Sequence, residues 1–187
     1  SRRGGRTVKT TTDRLGRTIL VEYPSGEEDV KYEYFYGNAI SKVFKKQNNA
    51  WVEKKSSAYD TYLRQTGITS PDWGTTAYAY DDSNNTITIT DPKSRKTIKT
   101  LDQLGRLTNQ NYQADGSITG LDYDGFNHLL LATDPRGINH KTDYDAYGRV
   151  IKTYHTYTGG TPAARSESSY FDNGLPNSVI VKDEAGN

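Results

Sequence analysis

The sequence predicts an all-β protein: a continuous antiparallel meander of repeated β-hairpins, about 16 short strands at a period of about 21 residues. Three observations predict it. A motif Y-D-x-x-G-R recurs along the chain, and a second turn signal falls about 11 residues after each copy. The stretches between are rich in Tyr and Thr, which favour strands, and none has a capped helical period.

The repeat comes first. Its Asp falls at Asp13, Asp60, Asp81, Asp102, Asp124, Asp145 and Asp172, with a degenerate copy that has Phe35 in the Asp place. The successive spacings are 22, 25, 21, 21, 22, 21 and 27 residues, so eight copies tile nearly the whole chain. The residues 1–187 therefore read as a single repeat array. The chain has no Met, so it reads as an excised fragment of a larger protein.

Each motif residue has a physical reason. Asp at the first position of a type I turn accepts a hydrogen bond from the backbone two residues on. The fourth position then takes φ > 0 and closes the hairpin with a bulge. Gly reaches that conformation freely, and Asn is the next most tolerant residue. The fourth positions read Gly16, Asn38, Leu63, Asn84, Gly105, Asn127, Gly148 and Leu175. Leu63 predicts an altered turn. In Asp172-Asn173-Gly174-Leu175 the Asn-Gly pair moves to the centre, which predicts a two-residue type I′ hairpin.

The residue before the anchor is Tyr34, Tyr59, Tyr80, Tyr123, Tyr144 or Phe171 in six copies. These are expected to end strands with a large flat side chain. The Arg after the Gly (Arg17, Arg106, Arg149) opens the next strand, where its stem can cover an aromatic ring.

The second turn reads YPSG from Tyr23, DPKS from Asp91 and DPRG from Asp134. Looser forms are SPDWG from Ser70, ADGS from Ala114 and KDEAG from Lys182. Two turns of about four residues and two strands of about six or seven account for the period. The Trp51 neighbourhood is ambiguous, and a hairpin turn at Gln47 to Asn49 fits it better than a helix. The segment from Thr156 to Ser168 reads as a larger loop or an extended hairpin. Repeated bulges are expected to curve the sheet.

Composition bounds the function. Net charge is +1, from 24 basic and 23 acidic residues, which gives no signal for nucleic acid. The basic start SRRGGR reads as a frayed end. Leu, Ile, Val and Phe make up about 18% of the chain and mean hydropathy is -0.87. Near-zero charge and 15 Tyr argue for order with a thin core. No run of 18 apolar residues exists, and the strands are too short and too polar on both faces for a membrane barrel, so no membrane insertion is expected. There is no Cys for disulfides or thiolate metal sites.

No catalytic, cofactor or metal site is expected. The Asp residues have turn roles, whereas acid–base work needs a carboxyl of shifted pKa. His128, His140 and His155 lack zinc-ligand spacing, and His128 occupies an Arg slot. The acidic stretch at Asp81–Asn85 lacks the Gly and Glu of an EF-hand. No G-x-S-x-G elbow or P-loop is present. Tyr stripes could stack sugars, although cross-strand packing explains them at about 0.2–1 kcal/mol per pair.

Carrying Y-D-x-x-G-R and D-P-x-G in register, the chain resembles the YD-repeat, or RHS (rearrangement hot spot), family over essentially its full length. The resemblance implies long secreted or cell-surface proteins whose hairpins coil into a hollow β-shell. In bacterial relatives the shell encloses a C-terminal toxin, as in insecticidal toxin complexes; in the teneurins a similar barrel supports adhesion. Its implied partners are the remaining repeats and the toxin cargo of the parent. Asp134-Pro135-Arg136-Gly137 is similar to part of the family's self-cleaving segment, but an ordinary repeat follows it, so it reads as a turn. The expected function is a non-catalytic shell segment. The alternative is an adhesion module binding carbohydrate or a protein. Unpaired terminal strands are expected to promote self-association.

Overall fold

The computed structural model describes residues 7–24, 28–156 and 163–182. Among these, sixteen strands follow in chain order. The first eight are β1 (Lys9–Thr12), β2 (Thr18–Glu22), β3 (Val30–Tyr34), β4 (Ile40–Gln47), β5 (Ala50–Tyr59), β6 (Gln65–Ser70), β7 (Gly74–Asp81) and β8 (Thr86–Thr90). The second eight are β9 (Lys96–Leu101), β10 (Leu107–Tyr112), β11 (Ser117–Tyr123), β12 (Leu129–Thr133), β13 (Asn139–Tyr144), β14 (Val150–Thr156), β15 (Ala163–Tyr170) and β16 (Pro176–Val181). The sheet order is the chain order, β1 to β16, and the meander does not close on itself. Two compact units divide the chain: Ser1–Ala79 with Ile89–Arg95, and Tyr80–Thr88 with Lys96–Asn187.

Strand composition follows the expected chemistry. β8 reads TITIT and β12 reads LLLAT, and every residue of both is half-buried. In neither unit is an apolar side chain buried among the described residues; only Asp29 and Ser70 are. A sheet normally buries one face on a second layer. Here the apolar side chains are covered only by their neighbours across strands, the thin core that composition predicts.

Registers place a bulge at one end of most hairpins. Two shifts, at Val43/Phe44 and Thr153/Tyr154, lie within strands, and one, at Leu107/Asn109, lies just after a motif turn. The other six fall at Thr11/Thr12, Glu33/Tyr34, Ala58/Tyr59, Asp122/Tyr123, Asp143/Tyr144 and Ser169/Tyr170. Each lies where a strand enters a motif turn, as a left-handed closing residue requires.

The opposite ends carry the second turns. Asn48 and Asn49 have φ of 50° and 63°, the paired positive angles of a type I′ hairpin. The Trp51 segment is thus a hairpin, as expected. Gly74, Ser94, Gly116 and Gly137 are left-handed in their turns. Residues 25–26 of the YPSG signal and 183–186 of the KDEAG signal lie outside the described residues, as do the start SRRGGR, 157–162 and residues 27 and 187. The Thr156–Ser168 segment is not a loop throughout, since β15 begins at Ala163. Its second half pairs with β14 in an extended hairpin.

Candidate functional site

The motif turn is a small hydrogen-bond cage. In Asp145-Ala146-Tyr147-Gly148-Arg149, Asp145 Oδ1 accepts the N–H groups of Tyr147 and Arg149, both at 2.9 Å. Its Oδ2 accepts Arg149 Nε–H at 2.6 Å. The Gly148 N–H donates to the Asp145 carbonyl at 3.0 Å, and Gly148 has φ of 77°. The same cage forms at Asp13, Asp60 and Asp102, with Arg17, Arg64 and Arg106. Asp124 forms it with His128, whose Nδ1 lies 2.7 Å from Asp124 Oδ2. Gly16, Gly105 and Asn127 take the left-handed position as the sequence predicts. Asp91 builds the same cage at the other end of its strands, with Ser94 left-handed and Arg95 on its carboxylate.

Five expectations need correction. Leu63 does not alter its turn: it keeps φ of 62°, and its N–H reaches the Asp60 carbonyl at 3.1 Å. The Asp60–Arg64 cage holds the leucine there. In the Asp81 turn the left-handed residue is Asn85, not Asn84. Asn84, whose φ is not positive, instead donates Nδ2 to Asp81 Oδ2 at 2.7 Å. In the Phe35 turn, Gly37 replaces Asn38 as the positive-φ residue, since Phe35 has no carboxylate to fix the frame.

The last turn is not type I′. Asn173 is not left-handed, while Gly174 has φ of 85° and donates to the Phe171 carbonyl. The frame has moved back by one residue, so Phe171 stands in the Asp place. Asp172 makes none of the cage bonds. Phe171 is therefore not the strand-end aromatic; Tyr170 is, and Phe171 is exposed. Tyr34, Tyr59, Tyr123 and Tyr144 do end their strands, and Tyr80 lies one residue before the end of β7.

The carboxyls of the caged aspartates are held below their usual value. Arg17 holds the Asp13 carboxyl below its usual value, chiefly through its side-chain bond. At Asp145, loss of solvent pushes the carboxyl up, but the Arg149 backbone and side-chain bonds outweigh it and pull the group down. The Ser83 hydroxyl and the Asn84 amide lower Asp81 to about 2. A proton donor needs the opposite shift. What these carboxylates can do is clamp backbone.

Consecutive repeats are tied through the strand-end tyrosines. Tyr34 donates its hydroxyl to the Thr18 carbonyl at 2.7 Å, and Tyr59 to that of Ile40 at 2.9 Å. Tyr144 donates to Leu129 at 3.1 Å and Tyr170 to Val150 at 2.9 Å. In each case the acceptor opens the strand after the preceding motif turn. At Tyr34, Tyr123, Tyr144 and Tyr170 the residue after the preceding turn's closing position covers the ring, whereas at Tyr59 Phe35 stacks on it at 6.0 Å. Arg17 lies 4.5 Å above Tyr34, Arg106 4.7 Å above Tyr123 and Arg149 4.4 Å above Tyr170. His128 stacks on Tyr144 at 4.7 Å. Arg106 also reaches the Asp124 carbonyl, at 3.0 Å.

Sequence reasoning anticipated an arginine over an aromatic ring. It missed that Arg Nε also closes the turn, and that the tyrosine hydroxyl binds the previous repeat. It missed the turn tips as well. Leu15, Tyr62, Leu104, Phe126 and Tyr147 all stand two residues after a motif Asp and are exposed. The signal was in the fixed offset of large apolar residues at a turn position that needs none.

Caged turns, bulged hairpins and tyrosine ties define the class: a repeated-hairpin β-meander, the fold that the YD/RHS resemblance implies. Solved structures share it. A chain of the TcdB2–TccC3–Cdc42 crystal structure matches with a TM-score of 0.63 and 13% identity, over 97% of this chain and 12% of its own. A chain of a variant Photorhabdus luminescens Tc holotoxin pore gives 0.62 and 13%, with the same coverage. A chain of TcdB2–TccC3 without its hypervariable C-terminal region gives 0.50 and 13%, over 91% of this chain and 11% of its own. The chain therefore spans about an eighth of the first of these, and at this identity the likeness is one of fold. No family model and no curated protein matches it.

Proposed function

We propose that this chain is a non-catalytic structural segment of a secreted RHS/YD-repeat β-shell that encapsulates a C-terminal toxin cargo and helps deliver it. The observation that carries the reading is the uncovered meander. Repeat is tied to repeat by tyrosine and arginine, and no apolar side chain is buried among the described residues. Such a sheet gains stability by continuing along its length, as repeat arrays do. It leaves both faces free, one for the surroundings and one for a cargo. The fold shared with chains of Tc toxin complexes supports the same reading.

Protease protection in the parent protein tests it. A cargo domain cut far more slowly inside the intact parent than when free, with protection lost when these repeats are deleted, is the expected result. Equal cutting rates overturn it. Exposed aromatic turn tips favour a second reading, recognition of carbohydrate or protein at a cell surface. Binding on a glycan array that vanishes in Tyr62→Ala/Tyr147→Ala, at two of those exposed tips, would put that reading first.

A further inference from the structure

The two outer strands of the meander differ as surfaces for pairing. β1 stands at one end of the strand order and β16 at the other, so each has one unpaired side among the described residues. β1 reads Lys-Thr-Thr-Thr, a polar edge whose Lys9 pairs with Glu22. A lysine on an outer strand is a common guard against pairing with another chain. β16 holds no charge. It reads Pro-Asn-Ser-Val-Ile-Val, and every residue of it is exposed, Val179 at 62%, Ile180 at 53% and Val181 at 75%. Its neighbours on β15 are too small or too polar to cover it: Ser168 opposite Val179, Glu167 opposite Ile180 and Ser166 opposite Val181.

The hydrogen-bond phase of β16 is fixed from its paired side. The Lys182 N–H donates to the Arg165 carbonyl at 2.9 Å, one step on from the pair Ser166–Val181. Bonded pairs alternate along an antiparallel ladder, so Ile180 and Ser178 also turn their backbone groups to β15. Val179 and Val181 therefore turn their N–H and C=O groups to the open side. Val-Ile-Val is a run of β-branched apolar residues with free backbone groups at its first and last members, the kind of unguarded edge that takes up another strand.

We infer that β16 pairs with β16 of a second copy of this chain, antiparallel and centred on Ile180, to give a two-fold dimer. In that register Val179 of each copy exchanges both backbone bonds with Val181 of the other, and Ile180 meets Ile180. Apolar side chains thus face apolar side chains along the whole run. Lys182, held by Glu167 at 3.2 Å, falls opposite Ser178 of the other copy, so no like charges meet. Pairing with β1 of another copy would instead set Val and Ile against Thr and Lys, and would leave free edges on a growing filament. The two-fold contact uses the same edge on both copies and closes. Such a dimer goes beyond the shell reading and does not depend on it.

Sedimentation of the 187-residue chain over a range of concentrations is the test. A reversible monomer–dimer equilibrium with no larger species is expected. Val179→Pro removes only an outward N–H, which an edge strand tolerates, and should weaken the dimer by at least about ten-fold with an unchanged circular dichroism spectrum. Thr10→Lys, at an exposed position of β1, should leave the dimer as it is. Cross-linking reads the register, since the chain has no cysteine of its own. Ile180→Cys faces itself in the dimer and should form a disulfide on mild oxidation. Val181→Cys lies two residues out of step with its copy and should form little. The inference is overturned by a monomer at every concentration, by larger species that Thr10→Lys disperses, by a dimer that Val179→Pro leaves intact, or by equal cross-linking at the two cysteines. Should Val179→Pro fail to fold, the cysteine pair decides.

Discussion

The turns at Asp60 and Asp145 make the same bonds around different residues. In both, the carboxylate takes the N–H groups two and four residues on and the Nε–H of an arginine. Yet the left-handed residue is Leu63 in one and Gly148 in the other, at φ of 62° and 77°. Leucine disfavours that conformation by about 1–2 kcal/mol. The cage therefore sets the backbone, and glycine only removes the strain. Where the cage is missing, as at Phe35 and Phe171, the frame slides and a nearby glycine determines where it settles.

The environment of the two positions differs as well. A Cβ on Gly148 would lie 2.6 Å from His128 Nε2, whereas one on Gly16 or Gly105 would meet nothing within 4 Å. Gly148 is thus required twice, for its φ and for the room that the stacked imidazole takes.

Acid should break the comparison most completely, because it acts on every caged turn at once. The turn aspartates have folded pKa values below the unfolded value of about 3.9, so their contribution is complete above that pH. It is lost as pH falls through the folded values, which reach about 2 at Asp81. Thermal melts should show Tm dropping steadily below about pH 4 and flat above about pH 5. A Tm independent of pH across that range would deny the carboxylates their role.

Among single substitutions Gly148→Val should cost most, about 3 kcal/mol by denaturant unfolding, from a β-branched residue at positive φ and the clash with His128. Gly105→Ala, with open space around it, should cost only about 1 kcal/mol. Equal costs would mean that the imidazole moves aside freely. Leu63→Gly should gain about 1 kcal/mol, because the strain is relieved and the cage is untouched.

Tyr144→Phe keeps the stacked ring and loses one bond to the Leu129 carbonyl, so it should cost about 1 kcal/mol. The smallest effect is expected at the paired asparagines. Asn85→Gly should stabilise by a few tenths of a kcal/mol, whereas Asn84→Gly should destabilise by removing the Nδ2–Asp81 bond. A stabilising Asn84→Gly would restore the frame expected from the motif alone.

These assignments mark what was legible in the sequence. Strand number, order and hairpin ends follow from the spacing of Asp and of the Pro- and Gly-bearing turns, because turn chemistry is local. Frame was not always legible. Asn84 and Asn85 are chemically equivalent, and only the reach of an amide to Asp81 separates them. Nor did Leu63 announce that Asp60, clamped by the neighbouring Arg64, would hold it left-handed. The tyrosine ties depend on the register between two adjacent strands from consecutive repeats, which no single motif contains. The imidazole over Tyr144 was present only as one substitution in the arginine position.

The most direct measurement is the intraresidue amide-to-Hα NOE along the turns, which is strong wherever φ is positive. Strong cross-peaks at Leu63, Asn85 and Asn127, with a weak one at Asn84, are the predicted result. A weak peak at Leu63 or a strong one at Asn84 would contradict the claim that in the aspartate turns the carboxylate, and not the residue at the closing position, sets the reversal of the chain.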